Sequence, residues 1–144
     1  MTEQDKLRSL GRLVDLRGRE LDRLTADMAG KQAIRVRYRS NIERMEHLAR
    51  DSGASGSLPL AQSGNCADYK QAMLQIVNAH RQDLDLHEAD MAVAQQALIV
   101  AARHKKVLGQ VLEQRHQDAA RAQTVQQQKR DDELASQMWW RGRT

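Results

Sequence analysis

The side chains of this 144-residue sequence that could do chemistry are few. They are five histidines, His47, His80, His87, His104 and His116, and one cysteine, Cys66. His80 and His87 stand seven residues apart, which on a helix places them on one face, and Asp83 lies between them. Two imidazoles and one carboxylate fall short of the four ligands of a closed zinc site, so the pair reads as interhelical packing. Cys66 has no base beside it in sequence to favour the thiolate. As the lone cysteine it closes no intramolecular disulfide and fits a reducing compartment. No Gly-rich phosphate loop, His-Glu-x-x-His, paired cysteine or Gly-x-Ser-x-Gly occurs. The sequence therefore predicts no catalytic residue, no metal, no cofactor and no small-molecule substrate.

The elements that would carry these side chains are helical. From about Cys66 to Trp140 there is no proline and a single glycine, Gly109. Proline costs about 3 kcal/mol inside a helix and glycine about 1, so few breaks are built into that run. Its Ala, Gln, Leu, Arg, Lys and Glu lose little on entering a helix. At about 1.5 Å per residue a continuous helix here would reach on the order of 110 Å, too long for a globular domain to enclose. The composition agrees: there is no Phe, aromatics make up 3% of residues and charged side chains 29%, which leaves one narrow stripe to bury rather than a bulky core. The expectation is a single all-α domain shaped as a rod, a class that binds, spaces or transmits.

The first segment keeps a seven-residue beat. One set of seam positions is Leu7, Val14, Leu21, Met28, Arg35, Ile42 and Ala49; the other is Leu10, Arg17, Leu24, Lys31, Tyr38 and Met45. All but Arg17, Lys31 and Arg35 are apolar, as a coiled-coil seam requires. Those exceptions, with Gly18 and Gly30, predict loose packing in the middle of the helix. Thr2 is the expected N-cap, with Glu3 and Asp5 suited to the helix dipole. The helix is expected over about 3–50 and a loop over about 51–65, where Gly53, Gly56, Gly64, four serines and Pro59 gather. Asn65 would then cap a second helix over about 66–140. Its expected seam is Tyr69, Met73, Ile76 and His80, an extra four-residue step (a stutter) to Leu84, then His87, Met91, Ala94, Leu98, Ala101, Lys105, Leu108 and Leu112. Beyond Leu112, at Arg115, Ala119 and Ala122, the seam weakens into Ala and Gln.

Two heptad segments joined by a short loop predict an antiparallel hairpin whose second helix is the longer. With Arg50 near Cys66, residue i of the first helix would meet residue 116 − i of the second. Lys31, Arg35, Arg37 and Arg39 would then fall near Asp83, Asp85 and Arg81, and some thirty residues past Gly109 would have no partner in the chain. The alternation of Arg35, Arg37 and Arg39 spreads them around a helix, as a solvated face rather than a phosphate track. A net charge of +4 spread along the chain argues against nucleic acid as a partner. The charged start, Met1 to Arg8, lacks the apolar block of a signal peptide, and the longest apolar run, Ala97 to Ala102, is far short of the roughly 20 residues that span a bilayer. The expectation is a soluble, cytoplasmic chain. Trp139 and Trp140 are two adjacent indoles that one polar helix cannot bury together, and Trp beside Arg is a composition of binding hot spots.

Three short motifs, in order, carry a family resemblance: Tyr38-Arg39-Ser40-Asn41-Ile42; Tyr69 with Gln71, Ile76 and Ala79; and the polar stretch with Gln128, Lys129, Arg130, Asp132, Glu133, Ala135 and Gln137. Together with the hairpin of unequal helices they make the chain resemble the FliJ family of flagellar export proteins. The resemblance implies a non-enzymatic, cytoplasmic component peripherally associated with the inner-membrane type III export apparatus. It implies a structure like the antiparallel stalk of rotary ATPases, the paired ends entering the hole of a hexameric export ATPase. By the same resemblance the loop-proximal half contacts the export-gate membrane protein and export chaperones. Tyr38, Ile76 and Ala79 match the family's gate-binding pattern. Ile34 and Ala72 depart from it, standing where the family tends toward aromatic residues. Leu7, Leu10, Leu112, Ala119, Ala122, Trp139 and Trp140 fall in the ends that would enter the ring. The rivals are the equivalent stalk of a virulence type III secretion system and, in another class, a basic helical nucleic-acid-binding or structural homodimer.

Overall fold

The structure, a computed structural model, describes residues 1–51 and 60–143. Two helices make up nearly all of it, α1 over Glu3–Asp51 and α2 over Leu60–Arg141, with no strand among the described residues. This is the expected all-α coiled-coil hairpin with a longer second helix. It divides into two compact units: Met1–Leu21 with Ala101–Thr144, and Asp22–Val100. Residues 52–59 of the expected loop lie outside the described residues.

Helix α1 begins as its sequence dictates. The Asp5 backbone N–H donates to Thr2 Oγ1 (3.2 Å), and the Thr2 N–H donates back to Asp5 Oδ2 (3.1 Å), a reciprocal capping box. Helix α2 begins earlier than expected. Leu60 to Asn65 are helical, so Asn65 lies inside the helix and is not its cap. One Gly64 costs only about 1 kcal/mol, which a long helix absorbs.

In the unit Asp22–Val100 the helices run antiparallel: Lys31 pairs with Asp90, Arg39 with Glu88 and Glu46 with Arg81. Every expected seam position of α1 in this unit is half-buried or buried, Ile42 and Ala49 most deeply. On α2 the seam differs from the expected one. Val77 is buried at 1% exposure, whereas Ile76 is 46% and Tyr69 47% exposed. With Val77 in the seam the spacing Met73, Val77, His80, Leu84, His87, Met91 alternates four and three without interruption, so there is no stutter. The expected extra step arises only when Ile76, one residue off the buried stripe, stands in place of Val77. The register shifts too, since the cross-helix pairs bring i to roughly 121–127 − i rather than 116 − i. The basic residues of α1 therefore meet Glu88 and Asp90, not Asp83 and Asp85.

In the other unit Leu7, Leu10, Val14, Arg17 and Leu21 are half-buried, and Gly18 lies 3.5 Å (measured from an added Cβ) from the Lys105 side chain. Ala101 is the buried residue on α2, with Lys105, Leu108 and Leu112 half-buried after it.

Candidate functional site

Two surfaces hold the side chains to which the sequence pointed. The first lies in the unit Met1–Leu21 with Ala101–Thr144. The first turn of α1 closes on α2 around a small cleft of about 180 Å³ lined by Glu3, Lys6, Leu7, Leu10, Val111 and Arg115. Beside it a wider open groove of about 810 Å³ runs between Glu3 and Gln4 on one side and Asp118, Ala119 and Ala122 on the other. The Lys6 ammonium bonds Glu3 at 2.7 Å and holds its carboxyl below the usual range; the bond from Thr2 does the same for Asp5. From Glu113 to its end at Arg141 every residue of α2 is exposed.

That exposed stretch is helical by local means. Gln114 reaches Asp118 (3.1 Å), Gln117 reaches Glu113 (3.0 Å) and Gln127 reaches Asp131 (3.1 Å), each one turn away. Such pairs contribute only about 0.2–0.5 kcal/mol each. At the far end Gly142 donates to the Met138 carbonyl (3.0 Å) and ends the helix. Trp139 and Trp140, 56% and 65% exposed, meet edge to face with centroids 5.5 Å apart, and the Arg143 guanidinium sits 4.3 Å over the Trp139 ring. Of the residues expected in the ring-entering ends, Leu7 and Leu10 come together at the small cleft and Ala119 and Ala122 at the groove beside it. Leu112 is half-buried, and the two tryptophans form a separate cluster at the helix end.

The second surface lies in the unit Asp22–Val100. Tyr38 is half-buried against His80 (6.3 Å between centroids) and His87 (5.9 Å). His87 Nε2 bonds the Lys31 carbonyl at 2.8 Å, while His80 Nδ1 is buried with no hydrogen-bond partner. The two imidazoles thus act as packing side chains in the seam. No group of three or more His, Cys, Asp or Glu among the described residues is placed to hold a metal. Ile76 and Ala79 lie exposed one turn apart on α2, the latter next to His80. Ile34 and Ala72, the two departures from the family pattern, are exposed as well. Arg35 and Arg39 both reach Glu88, at 3.6 and 2.9 Å, and Lys31 holds the Asp90 carboxyl below its usual range by hydrogen bond and charge. The seam reading missed Val77, whose spacing from Met73 and His80 was the available signal.

The class this fold defines is a two-helix coiled-coil hairpin with a second helix that outruns the burial supplied by the first. The family model for the flagellar FliJ protein matches residues 6–144, and the chain belongs to that family. It is thereby a component related to flagellar export. No curated protein and no solved structure gives a significant match. No helix among the described residues is long and apolar enough to cross a membrane.

Proposed function

We propose that this chain is a non-enzymatic stalk of the flagellar type III export apparatus. It couples the hexameric export ATPase to the export gate and to export chaperones. The observation that carries the reading is the stretch Glu113–Arg141, helical and exposed at every residue. An isolated helix of weak apolar content gains little stability from propensity alone, so a surrounding partner is the natural complement. Its Ala and Gln surface, with Ala119 and Ala122 beside the first turn of α1, suits a shaft inside a ring, where no single subunit should grip firmly. Leu7, Leu10 and Leu112 hold the two helices together at the ring mouth, and Trp139 and Trp140 enter furthest. The other unit engages the gate through Ile76 and Ala79, with Tyr38 setting the helix spacing beneath them. The protein acts in the cytoplasm, peripherally at the inner membrane, on protein partners alone.

The test is the hydrolysis rate and hexamer population of the matching export ATPase, with the full chain and with a version ending after Leu112. Stimulation by the full chain and its loss on truncation are expected. Equal stimulation by both forms would place the coupling elsewhere, and none by either would end the stalk reading.

A further inference from the structure

The last turns of α2 carry large apolar side chains on every side. Leu134, Met138, Trp139 and Trp140 are 57%, 72%, 56% and 65% exposed. Successive residues of an α-helix stand about 100° apart, so Met138, Trp139 and Trp140 point in three different directions. A helix that docks along another helix keeps its apolar residues on one stripe, recurring every three or four positions. This tip has no such stripe. A partner lying along one side of it would leave the other sides in water.

The charges of the tip share one sign. Between Leu134 and Arg143 there is no acidic residue, while Arg141 and Arg143 are basic. The Arg143 guanidinium sits 4.3 Å from the centre of the Trp139 ring, so cation and indole go together to whatever receives them. Guanidinium groups bind phosphate through two parallel hydrogen bonds. Indoles settle where an apolar layer meets water, the ring in the first and the N–H toward the second. Residues 134–141 rise about 10 Å along the helix, the depth to which interfacial helices enter a lipid surface. Behind them stand Asp131, Asp132 and Glu133, whose carboxylates an anionic surface repels.

We propose that this tip is a reversible anchor for an anionic lipid surface. Met138, Trp139 and Trp140 enter the headgroup layer, which surrounds them on all sides. Arg141 and Arg143 pair with its phosphates, and the carboxylates of Asp131, Asp132 and Glu133 stop the helix from entering further. Two cations and a short apolar tip hold only weakly, so the attachment is reversible and loosens in salt. The stalk reading gives the chain protein partners; the tip adds a lipid one while the chain is outside the ring, since ring and lipid would cover the same two tryptophans. The proposal does not rest on that reading, because vesicles test it with no ATPase present.

The experiment is flotation of the full chain with vesicles of phosphatidylglycerol and phosphatidylcholine in equal parts, beside vesicles of phosphatidylcholine alone. Trp139 and Trp140 are the only tryptophans of the chain, so their emission reports the tip alone. Flotation with the anionic vesicles and a blue shift of that emission are expected, both fading in high salt. Trp139→Ser with Trp140→Ser should abolish flotation in a chain whose circular dichroism is unchanged. Arg141→Gln and Arg143→Gln should each weaken it about fivefold. The same change at exposed Arg12 and Arg19 should leave it as it was. A chain that floats with neither vesicle overturns the proposal and leaves the tip to a protein pocket. So does equal flotation with both vesicles, flotation that survives loss of the tryptophans, or an equal loss on changing Arg12 and Arg19.

Discussion

Replacing Val77 by Asn and, separately, its neighbour Ile76 by Asn measures which residue of α2 faces α1. Val77 is 1% exposed and Ile76 46% exposed, so the two changes remove very different amounts of burial. Full burial of a valine side chain is worth about 1.5–3 kcal/mol. Placing an unpartnered amide there adds about 1–3 kcal/mol. Val and Asn have similar helix propensities, so the helix term nearly cancels. The sum for Val77→Asn is about 2.5–6 kcal/mol. At position 76 the amide stays hydrated and about half the isoleucine burial is lost, roughly 1 kcal/mol. For a chain of this length that is a fall in Tm of about 8–18 °C against about 3 °C. Thermal and urea unfolding followed by far-ultraviolet circular dichroism reads both. An Ile76→Asn loss equal to or larger than the Val77→Asn loss would refute the continuous seam and reinstate the stutter.

Other consequences are smaller. Thr2→Ala removes the hydroxyl that accepts the Asp5 N–H, and a loss of about 1 kcal/mol in the same unfolding assay is expected; no change would mean that the cap frays in solution. The Asp90 carboxyl is held below its ordinary value of 3.8 in the folded chain by Lys31. Its contribution is therefore present above that value and is lost as pH falls through the lower, folded one. Asp90→Asn should flatten the acid limb of a stability–pH curve, and an unchanged limb would remove this pair from the account. Glu88→Gln breaks two pairs, a half-buried one with Arg35 and a more exposed one with Arg39, and should cost about 1 kcal/mol, shrinking in high salt; a larger, salt-independent loss would mean that Glu88 holds the seam.

The seam of α1 was legible to the last residue, because a long helix with one apolar stripe has one way to bury it. On α2 the stripe was harder to read. Ile76 and Val77 are adjacent and both apolar, and only the register against α1 decides between them. That register rested on where α2 begins, and a start at Leu60 lay hidden behind the polar, glycine-containing Ser63 and Gly64. The sign of the charges facing α1 was right and their identity wrong, since complementary charge recurs along α2 at Asp83, Asp85, Glu88 and Asp90. The overhang of α2 was expected from a register that ended α1 opposite Gly109; the first turn of α1 in fact lies beside Arg115, Ala119 and Ala122, and the exposure beyond them follows from the weak Ala and Gln seam. Exposed side chains that depend on an absent partner leave no intramolecular trace. The gate-facing and ring-facing residues therefore follow from the family relationship and from exposure, not from geometry within the chain.

The central claim is that the exposed end of α2 lies inside the ATPase ring while Ile76 lies outside it. Photo-activated cross-linkers at Ala122 and at Ile76, each in the full chain mixed with the export ATPase hexamer, test it directly. The account predicts ATPase adducts from Ala122 and none from Ile76. Adducts from Ile76 alone, or from both positions equally, would contradict it.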